Sequence, residues 1–121
     1  MFHLFKTGFL SLLFISANAL AVDCVEPSKP VIPDGATASM EEMVEAQTAV
    51  KNYQTGMENY RACQEANMVA LKPQIREGDH ASMAAYMASN NAFNDSISTE
   101  QEIAAAFNTA LKAYKAANPS E

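Results

Sequence analysis

The chain has 121 residues, with eight Lys and Arg against fourteen Asp and Glu, and a formal charge of −6. That length supports one small domain, and the acidic balance disfavours phosphate-bearing partners, nucleic acid and anionic lipid alike. Two cysteines without a Cys-X-X-Cys pair, and two histidines in all, leave little from which to build redox or nucleophilic chemistry.

Residues 1–21 read as an export signal. Met1 to Lys6 is a short basic n-region, and Phe9 to Ile15 is an apolar run too short to span a bilayer. Small residues follow where a signal peptidase cuts, with cleavage expected after Ala21 or, as second choice, after Ala19. A retained anchor is disfavoured by the length of the apolar run. A lipoprotein is disfavoured by Asp23, which stands where a lipobox needs a small residue. Loss of Lys6 leaves a net charge near −7. The mature form is then expected to have no stable membrane anchor and to work in the periplasm or outside the cell.

Residues 22–38 form a proline-rich arm. Pro27, Pro30 and Pro33 hold it extended until Asp34-Gly35, which reads as a turn. Val25, Val31 and Ile32 give the arm apolar side chains to lay against a neighbour.

Residues 39–118 read as a helical hairpin. Ser39 and Glu42 fit a capping box at the start of the first helix, and Glu41, Glu42 and Glu45 suit the positive end of its dipole. Heptad spacing places Met43, Val50 and Met57 at one core position and Ala46, Tyr53 and Tyr60 at the other. Gln64, Asn67 and Leu71 continue that register. Pro73 is expected to kink or end the helix, and Glu77-Gly78-Asp79 reads as the turn.

The second helical region starts near Asp79. Its expected inward register is Met83, Tyr86, Asn90, Phe93, Ile97, Ala104, Phe107, Leu111 and Tyr114, and Glu100 also turns inward if the helix is straight. Residues 90–98 are rich in Asn and Ser, which favour caps and turns. Thr99 and Glu102 offer a second capping box there, so a kinked or split helix is expected. Asn118-Pro119 ends it.

Cys24 and Cys63 follow an export signal and are even in number, which favours one intramolecular disulfide over two free thiols, a metal pair or an intermolecular bridge. The geometry permits it. Helix from Ser39 to Cys63 climbs about 36 Å, and the arm from Cys24 to Ser39 reaches about 46 Å in polyproline form. The arm can therefore double back along the helix to Cys63.

Candidate chemistry is sparse. His80, Met83 and Met87 share one face at i, i+3 and i+7, and imidazole with thioethers suits Cu(I). The plainer reading seats the two methionines in the seam with His80 exposed in the turn. Tyr53, Tyr60, Tyr86 and Tyr114 lie on or beside the seams, as core-edge packing before a ligand-binding stripe. No cofactor is expected and no residue is assigned a catalytic role. Two helices bury a single seam, so pairing into a homodimeric bundle, or clamping a protein partner in the seam, would complete the core.

The run Cys24-x-x-Pro27-x-x-Pro30-x-Ile32-Pro33-Asp34-Gly35-Ala36-x-Ala38-Ser39, followed by Glu42-Met43, Tyr53, Tyr60 and Cys63, resembles a family of small exported proteobacterial proteins of unknown function. The likeness spans roughly residues 24–63 and, more loosely, the Phe107-Asn108 region. It implies a periplasmic or secreted location and brings no activity, cofactor or catalytic residue with it.

Overall fold

The computed structural model describes residues 22–120, so the export signal expected over residues 1–21 lies outside the described residues. Among these, the chain is an extended arm followed by two helices, α1 (Met40–Arg76) and α2 (His80–Ala117), packed as a hairpin without strands. Each helix is about 55 Å long at the usual rise.

Local chemistry sets each end. Ser39 caps α1: its hydroxyl accepts the Glu42 N–H at 3.1 Å, and the Glu42 carboxylate accepts the Ser39 N–H at 2.7 Å. Two otherwise orphaned donors are thereby satisfied. At the far end α1 runs one turn past Pro73 instead of stopping there, and the Pro73 carbonyl still accepts the Glu77 N–H at 3.3 Å. Proline deletes one helical hydrogen bond, and at this exposed position close to the helix end the loss is tolerated. Gly78, at φ 87°, makes the reversal in a conformation that suits only a residue without a β-carbon. Asp79 then caps α2. The Ser82 hydroxyl and the Ala81 N–H donate to its two carboxylate oxygens at 2.8 and 3.0 Å and hold its pKa below the ordinary carboxylate value.

The inward face of α1 carries Met43, Ala46, Val50, Tyr53, Met57, Gln64, Asn67 and Leu71, all buried. Tyr60 is only half-buried, at the seam edge. On α2 the buried line is Ser82, Ser89, Ser96, Ala110 and Tyr114. This corrects the expected register in the first half of α2. Met83, Asn90 and Ile97 point outward, and the serine one residue before each takes the inward position. In this half of the hairpin α1 buries Met57, Gln64 and Leu71, and the line that α2 buries is the small serines, with Tyr86 and Phe93 half-buried beside it. Towards the open end the roles reverse: Ala46 leaves room, and Phe107 and Leu111 join the cluster around Met43, Ala110 and Tyr114.

Nor does α2 break at residues 90–98. It is one helix, and Thr99 with Glu102 start no new segment: the Thr99 hydroxyl donates to the Asp95 carbonyl at 3.0 Å, a bond of helix interiors. Ser96 does the same with Phe93 at 2.6 Å. Packing against α1 outweighs the weak local preference of these residues for turns. Glu100 does turn inward, into an ion pair with Arg61 at 2.7 Å.

The disulfide joins Cys24 to Cys63 with their Cα atoms 5.7 Å apart, inside the usual range for the bond. The arm runs antiparallel to α1 on one side of the hairpin. At its turn the Asp34 side chain accepts the Ala36 N–H at 3.0 Å, and its carbonyl accepts the Ala38 N–H at 2.9 Å. Gly35 is buried there directly on α2: a β-carbon would overlap the Ala110 carbonyl and stand 2.9 Å from the Tyr114 nitrogen. Farther along, Pro27 lies on Gly56, where an added β-carbon would be 3.0 Å from the proline ring. Finally Asn67 grips the arm's start. Its amide oxygen accepts the Val22 N–H at 3.0 Å, and its amide nitrogen donates to the Val22 carbonyl at 2.7 Å.

Candidate functional site

Three places concentrate chemistry. The first is the hairpin tip, where His80, Met83 and Met87 stand on the outer flank of α2, all exposed, with Met83 at 43% and Met87 at 57%. The two methionines are therefore not seam residues. Beside them an open groove of about 240 Å³ lies between Ile75, Met83 and Tyr86, bordered by Lys72 and Arg76. Imidazole and thioethers on successive turns offer soft donors to a monovalent metal. No group of three His, Cys, Asp or Glu able to hold a metal ion occurs among the described residues.

The second place lies inside the hairpin. The Arg61 guanidinium bridges Glu100 and the Ser96 hydroxyl, the latter at 3.4 Å, and both partners of the ion pair are largely shielded from water. Nearby, Tyr53 is 3% exposed and its hydroxyl has no hydrogen-bond partner among the described residues. Burial, reinforced by the charges of Glu26, Glu100 and Glu102, raises the Tyr53 pKa above its ordinary value of 10.0. The neutral phenol is thereby favoured, and the Arg61–Glu100 pair with the Arg61–Ser96 bond ties α1 to α2 at this level.

The third is a pair of grooves at the open end. One lies between arm and α1, lined by Val31 and Pro33 and edged by Glu42 and Glu45. The other lies on the opposite side, between α1 and α2, where Met40 and Val44 are exposed beside half-buried Phe107 and Leu111.

The tyrosines do not converge on a ligand: Tyr53 and Tyr114 are buried, while Tyr60 and Tyr86 are half-buried on different stretches of the hairpin. Sequence reasoning missed the Ser82-Ser89-Ser96 line, the Arg61–Ser96 bond and the Asn67 clamp on Val22. Only the seven-residue spacing of the serines offered a signal. No helix among the described residues is long and apolar enough to cross a membrane. Comparisons with protein-family models, with curated proteins and with solved structures find no match.

Proposed function

We propose that the chain is an exported, non-catalytic helical protein of the periplasm that acts by contact with another protein. A disulfide that fastens the arm across 39 residues is suited to an oxidising compartment. The observation that carries the contact reading is the open-end groove. Met40 and Val44, each 55% exposed, flank Phe107 and Leu111 on the side the arm leaves uncovered. Contiguous apolar side chains at a surface mark interaction sites and ligand grooves. The test is proximity cross-linking of the mature protein in its native compartment. Val44→Asp, an exposed change that leaves the core intact, should abolish the cross-linked species, whereas the same change at exposed Thr55 should not. Equal labelling by both variants would sink the reading.

A second reading rests on the exposure of His80, Met83 and Met87 on one flank of the tip, which leaves all three side chains accessible to a copper(I) ion. Competition with a chromogenic Cu(I) chelator tests it. The combined substitution His80→Ala and Met83→Leu should remove the affinity if the ion binds there. An unchanged titration would exclude the site.

A further inference from the structure

The outer flank of α2 lacks what a solvated helix face normally carries. From His80 to Leu111 the only charged residues are Asp95, Glu100 and Glu102. Glu100 is turned inward to Arg61, and Asp95 and Glu102, seven residues apart, lie together along one edge of the helix. Between these two lines the exposed surface includes Met83, Met87, Asn90, Asn94, Ile97 and Gln101, uncharged through Asn108 until Lys112, which falls eighteen residues after Asn94 on the same line and joins Lys115 at the C-terminal end. A helix facing water ordinarily shows charge there. In a chain carrying twice as many carboxylates as cations after residue 21, this is a long surface on which two copies could meet without repelling each other.

The ends of the flank say how they would meet. Asp79, Ile97 and Lys115 are spaced eighteen residues apart, five full turns, so they fall on one line along α2. If two α2 helices cross antiparallel about Ile97, Ile97 meets its own copy, Asn90 meets Ala104, and Asp79 of each copy meets Lys115 of the other. Parallel alignment would instead set Asp79 on Asp79 and Lys115 on Lys115. Amides suit a symmetric contact because each Asn and Gln both donates and accepts. A strip about 50 Å long and a third of a helix circumference wide covers roughly 500 Å² per copy, so about 1,000 Å² in all. That is the lower limit for a specific interface, and it makes the pair reversible.

We infer that the uncharged outer flank of α2 is an isologous, antiparallel self-association surface centred on Ile97, with Asp79–Lys115 pairs closing both ends. The inference goes beyond the contact reading above: it places a second copy at a face distinct from the open-end groove.

The experiment is sedimentation of the oxidised mature protein over a wide concentration range, with thermal melting as the control for folding. Reversible dimerisation is expected, weakened about tenfold or more by Ile97→Glu, and weakened by Lys115→Glu in low salt. Variants with one added free cysteine and the native disulfide intact then fix the geometry. Asn90→Cys mixed with Ala104→Cys should cross-link, while Asn90→Cys should not link to itself. Self-linking of Asn90→Cys, a dimer indifferent to Ile97→Glu, or a monomer at every concentration would each overturn the inference. None of these outcomes touches the open-end groove, which stands or falls with Val44→Asp.

Discussion

Replacing Cys24 and Cys63 together by serine opens a loop whose ends are 39 residues apart, without leaving a reactive thiol behind. In the chain-entropy account, a loop of this length restricts the unfolded ensemble by about 13 cal/mol/K, or about 4 kcal/mol at 25 °C. The arm makes other attachments, so the native state should not collapse when the bond is gone. Pro27 still lies on Gly56, and Asn67 still holds both backbone groups of Val22. The cost therefore falls on the unfolded side. For a domain of about 100 residues the entropy of unfolding is about 0.2 kcal/mol/K, so 4 kcal/mol lowers Tm by about 20 °C. Circular dichroism at increasing temperature measures this directly, and the helical signal at low temperature should be nearly unchanged, because both helices carry their own caps. A fall in Tm of only a few degrees would refute the argument, as would thiol labelling that found both native cysteines free.

Gly35→Ala should destabilise by about 1–3 kcal/mol and loosen the arm's turn, since its β-carbon meets the rigid backbone of Ala110; chemical denaturation reads the change, and a neutral result would mean the turn is not seated on α2. Tyr53→Phe removes a buried hydroxyl that has no partner, so stability at neutral pH should hold or rise slightly. Because folding raises the Tyr53 pKa, the protonated phenol favours the native state: that contribution is complete below pH 10 and is lost as pH climbs through the raised value. Alkaline melting should accordingly be shallower in the phenylalanine variant than in the wild type. Arg61→Ala should cost about 1–3 kcal/mol, because it strands Glu100 in a largely shielded position; Arg61→Ala with Glu100→Ala should recover part of that loss in a double-mutant cycle.

How much could be read in advance follows from where each signal lives. The α1 seam was legible because Met43, Val50 and Met57 are large, apolar and seven apart, so hydrophobicity and burial coincide. On α2 they part company. Methionine and isoleucine at 83 and 97 outrank their serine neighbours on any hydrophobicity scale, yet the serines go inside. What decides this is packing against α1, and no window of α2 contains that information. The same holds for the continuity of the helix through its Asn- and Ser-rich stretch, for the pairing of Glu100 with Arg61, and for the Asn67 clamp on Val22.

The sequence by itself determined the local events. Ser39 with Glu42 started one helix, Gly78 and Asp79 reversed the chain, and arm length and helix rise brought Cys24 within reach of Cys63. These depend on covalent geometry and near neighbours, and they follow from the residues concerned. Only the tertiary structure decided which line of α2 turns inward, because a helix has no preferred face until another surface chooses one. That choice, made in packing against α1, also left Met83, Ile97 and the surrounding asparagines facing out on an uncharged flank.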